Sequence, residues 1–311
     1  MIFPNFDPAL FTIPQFHLAS LTIGPLLIRW YALAYIAGIL LGWRYATGLA
    51  RNTRIWGGGQ ATATPLQIDD LILWITLGVI VGGRLGYVLF YMMPLEQERA
   101  LLARDWTEVF KTWHGGMSFH GGFLGVCVAI IGYSWANRIS VLRLGDLVAP
   151  CVPIGLFFGR IANFINGELW GRETGLPWGM VFCNDRLRGE PGGCLAGEYP
   201  RHPSQLYEAA LEGVVIFLIL RIATHHVTWL RRKGAVTGLF LVLYGIFRIL
   251  IENTRQPDAG LANLPLGLTM GIILSVPMVL AGLVLLVIAL REPLPPVVVT
   301  EPTTPGAHEP A

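Results

Sequence analysis

Apolar residues run along this chain in seven blocks, each close to the roughly 20 residues a helix needs to cross the hydrocarbon core of a bilayer. The blocks lie at 26–47, 68–91, 119–136, 145–165, 205–223, 235–252 and 268–290. Ahead of them, Phe3, Phe6, Phe11 and Phe16 stand among prolines in a stretch too broken to span. Aromatic rings of this kind rest at headgroup level, so residues 1–25 read as an interfacial arm, with a loose terminus as the alternative. Past Arg291 the apolar pattern gives way to proline, and 292–311 reads as a disordered tail.

Composition narrows the class. The chain is 53% hydrophobic and 14% charged, against roughly 25% charged in an average soluble domain. The expected fold is therefore an all-α integral membrane protein with seven transmembrane helices, filling 26–291 and carrying one small extracytoplasmic head at 168–204. A formal charge of +2 argues for no nucleic-acid partner. Residues 1–28 hold no Lys or Arg, so the positive n-region of a cleaved secretory signal is not expected.

The position of the bases sets an orientation. Arg44, Arg51 and Arg54 follow the first block, Arg138 and Arg143 the third, and Arg221, Arg231, Arg232 and Lys233 the fifth. Short loops rich in Lys and Arg stay in the cytoplasm, which puts the N-terminus outside and the C-terminus inside. The head then holds Cys183 and Cys194 on an oxidising face. A disulfide between them would contribute about 3 kcal/mol through loop closure; two free thiols are the alternative. Cys127 and Cys151 read as packing residues.

Candidate chemistry lies where polar groups interrupt the apolar blocks, because an ionisable side chain at membrane depth usually marks a substrate or ion path. The stretch Gly159 to Arg172 places Arg160, Asn163, Asn166 and Glu168 at the end of the fourth block. Arg84 interrupts the second block beside glycines that suit close helix packing; it reads as a phosphate contact, with snorkelling to the headgroups as the alternative. His114 and His120 flank paired glycines at the mouth of the third block, at a spacing that suits no metal site. A histidine there suits proton transfer or an interfacial hydrogen bond. Glu208 and Glu212 share one helical face and would repel each other unless a cation faces them. Ser204 is placed to cap the helix that carries them. Arg248 sits in an apolar run and must pair with Glu252 or Glu208, or hold an anion. Three arginines at depth, Arg84, Arg160 and Arg248, favour an anion site, and a phospholipid headgroup is the anion at hand.

These motifs resemble one family: Ser118 to Gly122 within His114 to Gly122, the fourteen residues from Gly159, Arg201 to Glu208, Tyr244 to Arg248 continuing to Asp258, and Ile28 to Tyr31. They are similar to the phosphatidylglycerol--prolipoprotein diacylglyceryl transferases, and the likeness runs from about Phe6 to Arg291. It implies a multi-pass enzyme of the bacterial inner membrane. The reaction it implies moves the sn-1,2-diacylglyceryl group of phosphatidylglycerol to the lipobox cysteine of a preprolipoprotein signal peptide, makes a thioether and releases glycerol 1-phosphate. By matching position the family's important residues fall on Tyr31, His120, Arg160, Asn163, Glu168, Gly171, Arg248 and Glu252; His114 stands where an aspartate-like residue is common and is set aside as incidental. The family motif does not ask for the Cys183 and Cys194 pair.

For that chemistry Arg160 and Arg248 are expected to clamp the phosphate, with His120 as the base. Tyr31, Arg84, Asn163, Glu168, Gly171, Glu208, Glu252 and Arg255 are expected to bind substrate. No metal or organic cofactor is expected. A phospholipid-binding transporter is the competing class, weakened by the absence of an internal repeat, and a phospholipid hydrolase is a further one.

Overall fold

The computed structural model describes residues 1–18, 21–23, 26–94, 96–111, 115–189, 192–256 and 268–294. His114, Pro257, Asp258 and the tail beyond residue 294 lie outside the described residues. The arm folds as two antiparallel β-ladders, with β1 (Ala9–Ile13) on β4 (Leu26–Arg29) and β2 (Phe16–Leu18) on β3 (Leu21–Ile23). Helices follow: α1 (Trp30–Arg51), α2 (Pro65–Tyr87) with a π turn Val88–Met92, α3 (Glu96–Arg104), α4 (Phe119–Ala136), and α5 (Val141–Val148). A 3-10 turn leads from α5 into α6 (Val152–Asn166). Then α7 (Ser204–Glu208), a π segment Ala209–Val215 and α8 (Ile216–His225) form one continuous rod, before α9 (Ala235–Glu252) and α10 (Met270–Arg291).

The protein is thus mostly helical rather than all-α. Leu26–Arg29 is strand, not the first turn of a span, because its apolar residues pair with β1 from Ala9↔Arg29 to Ile13↔Leu26. By length and composition five helical stretches among the described residues can cross a membrane: Pro65–Met92, Phe119–Ala136, Val141–Asn166, Ala235–Glu252 and Met270–Arg291.

Sequence chemistry fixes the helix ends. Thr64 and Gln67 close a capping box at the start of α2, with Pro65 in the first helical position. Ser118 and Thr269 accept from Gly121 and Ile272 at the starts of α4 and α10. The start of α9 is capped from another helix: Asp146 of α5 accepts from Gly234 N at 2.6 Å, Thr237 N at 2.8 Å and Thr237 Oγ1 at 2.9 Å. Its carboxylate satisfies amide groups that would otherwise be orphaned in a buried position.

Helix pairing follows small residues. Gly78, Gly82 and Gly86 on α2 meet Gly121 and Gly125 on α4 so closely that a Cβ at Gly82 would stand 2.7 Å from Gly125 Cα. Backbones approach this way in membranes, where no hydrophobic force drives helices together. Gly121 of the Gly121-Gly122 pair therefore serves the helix interface, where a Cβ would stand 2.7 Å from Gly86 Cα. Gly82→Leu is expected to cost about 1–3 kcal/mol by overpacking. Gly48→Leu, with nothing within 4 Å of its Cβ position, should leave the thermal midpoint unchanged; comparing the two midpoints checks this.

The main core joins Leu49, Ile68, Tyr133, Leu144, Ile216 and Val236, all buried. Leu73, Leu77 and Val81 on α2 and Leu280, Val284 and Val287 on α10 stay exposed, as a lipid-facing surface requires. The head has a small core of its own. Phe3 packs at 5.0 Å on Phe182 and 5.4 Å on Phe164, centroid to centroid, and Phe3 N bonds Val181 O at 3.0 Å. Phe3 is thus a core residue of the head and not an interfacial aromatic.

Candidate active site

The site is assembled where the C-terminal ends of α6 and α9 and the start of α7 meet the head. Helix α6 ends on Gly167 in the left-handed region, φ +67°, a common helix stop, and Arg186 of the head donates to the freed carbonyls of Ile165 and Asn166 at 3.2 and 3.1 Å. The chain then takes a sparsely populated turn at Leu169, φ +58°. Two side chains from the start of α7 hold that turn: Ser204 Oγ donates to Leu169 O at 2.9 Å and Gln205 Nε2 to Glu168 O at 2.5 Å. Ser204 does not cap its own helix. Local strain held in place by its surroundings is common at functional sites.

Next, Gly171 is pressed between two other backbones. Its N–H donates to His202 O at 2.9 Å, Arg172 N donates to Thr254 O at 2.8 Å, and a Cβ on Gly171 would lie 2.7 Å from His202 Cβ. Only glycine fits there. The close approach seats the head on the end of α9, where Arg172 Nε donates to Arg255 O at 2.8 Å.

Beneath that floor lies a six-member ion network. Arg160 Nε stands 2.9 Å from Glu208 Oε2 and Arg160 Nη2 3.7 Å from Glu212 Oε2. Arg248 reaches Glu208 Oε1 at 3.2 Å and Glu252 Oε2 at 3.0 Å. Arg255 reaches Glu208 Oε1 at 2.7 Å and Glu252 Oε2 at 3.7 Å. Glu208 is therefore shared by three guanidinium groups, and Arg160 is the cation that lets Glu208 and Glu212 share a face.

Exposure within the network is uneven. The Glu208 and Glu212 side chains are 0% exposed, while Arg160 and Arg248 keep 18% and 16%. Glu252 keeps 6%, so a molecule approaching the cluster meets mostly guanidinium. A second polar chain runs beside it: Asn163 Nδ2 donates to Tyr31 OH at 3.2 Å and to Glu168 Oε1 at 2.8 Å, and Asn166 Nδ2 also reaches Glu168 Oε1, at 3.4 Å.

Two expected site residues stand apart from the network. Arg84 is buried and each of its three nitrogens donates to a backbone carbonyl: Nε to Val109, Nη1 to Gly115 and Gly116 at 2.7 and 2.9 Å, and Nη2 to Glu108. That ties the loop before α4 onto α2. Lys111 reinforces the loop by holding the Asp105 carboxyl down at about 2. His120 lies exposed in the first turn of α4; among the described residues its one such contact is the Phe119 ring at 5.8 Å. Cys183 and Cys194 are joined as a disulfide, with Cα atoms 5.3 Å apart. Gln205 and Arg172 were not singled out by sequence, although both lie inside motifs that were.

Comparison with known proteins gives the family. The family model described as prolipoprotein diacylglyceryl transferase matches residues 19–288. A Caulobacter sp. (strain K31) protein named phosphatidylglycerol--prolipoprotein diacylglyceryl transferase is 61% identical over 312 residues, covering all of both chains. Proteins of the same name from Caulobacter vibrioides and Bradyrhizobium diazoefficiens are 58% and 49% identical. The first spans the whole of both chains, and the second covers 92% of this chain and 96% of its own. Matched by the family model over residues 19–288 and by a 61% identical relative over its whole length, the chain belongs to the prolipoprotein diacylglyceryl transferase family.

Proposed function

We propose that this protein transfers the sn-1,2-diacylglyceryl group of phosphatidylglycerol to the thiol of a lipobox cysteine in a preprolipoprotein signal peptide. The observation that carries the proposal is the guanidinium-faced cluster, in which Arg160 and Arg248 are the most exposed members, at 18% and 16%, against 6% for Glu252 and none for Glu208 and Glu212. In this reading the lipid phosphate lies against Arg160 and Arg248. Sulfur attacks the terminal glyceryl carbon, the bond from that carbon to the phosphate oxygen breaks, and its electron pair leaves on glycerol 1-phosphate. Cationic donors fixed in a dry site stabilise that departing charge most strongly, and Glu208 and Glu252 hold them in place before the lipid arrives. Tyr31, Asn163 and Glu168 meet the headgroup hydroxyls. Arg84 and Gly171 act on position, the one by tying down the loop ahead of α4, the other by seating the head on Arg255.

A free thiol titrates near 8.5, so a cationic surface alone raises its thiolate fraction. His120 takes the thiol proton in our reading, and since no contact among the described residues joins it to the cluster, the incoming cysteine comes to rest between the two.

The same geometry supports a reading of the fold in the membrane. The 22-residue α1 is about 33 Å long at 1.5 Å per residue, enough for a core of about 30 Å. The rod from α7 through α8 carries Glu208 and Glu212 turned inward to arginine, so these two charges do not face lipid. With these two, seven helices cross the bacterial inner membrane. The cluster and head then lie on the periplasmic side with the N-terminus, and the C-terminus is cytoplasmic.

The test is release of glycerol phosphate by the purified protein. Release only when phosphatidylglycerol and a lipobox peptide are both present is expected. Release without peptide would make the protein a hydrolase, and binding of lipid with no release would make it a carrier.

A further inference from the structure

Among the three carboxylates of the cluster, Glu212 is held least. Among the described residues neither of its oxygens accepts a hydrogen bond although both are buried, and its guanidinium partner, Arg160 Nη2, stands 3.7 Å away. Glu208 has nitrogens of Arg160, Arg248 and Arg255 at 2.9, 3.2 and 2.7 Å. Glu252 has Arg248 at 3.0 Å. A buried acceptor with nothing donated to it is a costly arrangement, and in a native site it calls for an explanation. Glu212 also sits on the π segment Ala209–Val215, a backbone form that recurs at functional sites. That segment is pressed onto α6: a Cβ on the neighbouring Gly213 would lie 2.7 Å from Phe157 Cβ.

The charges already balance. Arg160, Arg248 and Arg255 face Glu208, Glu212 and Glu252, three against three. A phosphodiester adds one negative charge to a site shielded from water, where an uncompensated charge is expensive. Balance returns if one carboxylate takes a proton. Glu208 and Glu252 are tied within hydrogen-bond range of guanidinium. Glu212 is not so tied.

We propose that Glu212 is the displaceable counter-ion of Arg160: as the lipid phosphate arrives, Arg160 Nη2 moves from Glu212 to the phosphate, and Glu212 takes one proton from the medium. This deepens the proposed lipid site and rests on it. Glu212 has no exposed surface and does not touch the lipid, so it is a positioning residue acting through Arg160. The groups that face it are Arg160 from α6, Tyr244 and Arg248 from α9, Arg255 beyond α9, and Glu208 on its own rod. Lipid binding then weakens as pH rises, because the proton becomes harder to supply.

The experiment is calorimetric titration of the full-length protein, in detergent micelles, with phosphatidylglycerol in two buffers of different protonation enthalpy. Uptake of about one proton per lipid is expected for the wild type. Glu212→Gln, already neutral and of the same shape, is expected to bind lipid with no uptake. Its KM for phosphatidylglycerol should be flat with pH, where the wild-type KM climbs by up to about tenfold per pH unit on the alkaline side. Glu212→Asp should restore both the uptake and the slope. No proton uptake by the wild type, or unchanged uptake in Glu212→Gln, would overturn the proposal, and the wild-type result stands even if the variant fails to fold. Arg160→Ala separates the two levels. Undiminished lipid binding in that variant would remove the arginine site itself, whereas lost binding with unchanged uptake in Glu212→Gln would remove the counter-ion role alone.

Discussion

Arg248→Ala is expected to lower kcat/KM for transfer from phosphatidylglycerol to a lipobox peptide by about 10²–10³-fold, the usual consequence of removing one fixed donor from a developing anion. Arg248 bridges Glu208 and Glu252 and keeps part of its surface open, so it stands where a phosphate can be shared between it and Arg160. Arg248→Lys separates charge from geometry. Lysine supplies a point charge without the planar fork that can hold a carboxylate and a phosphate together, so an intermediate loss is expected. The assay is initial-rate transfer in detergent, run with a thermal midpoint so that a folding defect is not read as a catalytic one.

Glu208→Gln is expected to be the most destabilising single change in the cluster, at about 3–5 kcal/mol, since it leaves buried charges without their partner. Three guanidinium groups lie within 3.2 Å of the carboxylate, and the amide would leave them facing one another. Glu173 offers the contrast. It pairs with Arg201 at 3.5 Å but is 59% exposed, and surface pairs of this kind contribute about 0–1 kcal/mol. Thermal midpoints of the two variants in the same detergent compare them directly. A Glu208→Gln midpoint as little changed as that of Glu173→Gln would show that the network does not hold α6, α7 and α9 together.

The apolar blocks placed the helices well because a span needs a long unbroken run, and that need is written residue by residue. The first block erred at Leu26–Arg29, where four apolar residues look alike whether they continue a helix or pair with a strand. The partner strand Ala9–Ile13 could not be read from hydropathy. Phe3 erred for a similar reason, since its pocket is built by Phe164 and Phe182, far along the chain. In the cluster, the spacing of Glu208 and Glu212 already asked for a cation, and Arg248 asked for Glu208 or Glu252, because buried charge permits few alternatives. Arg84 was harder. Its acceptors are backbone carbonyls 24 to 32 residues away, and carbonyls carry no signal in a side-chain sequence. The π segment under Glu212 is likewise a tertiary outcome, in a stretch that reads as ordinary helix.

Arginine contact with the lipid phosphate is the central claim, and affinity tests it most directly. Phosphatidylglycerol is titrated into the purified wild type, Arg160→Ala and Arg248→Ala, each shown to be folded by its thermal midpoint. The expected result is a loss of at least about tenfold in affinity in each variant, or about 1.4 kcal/mol. Equal affinity in all three proteins would contradict it.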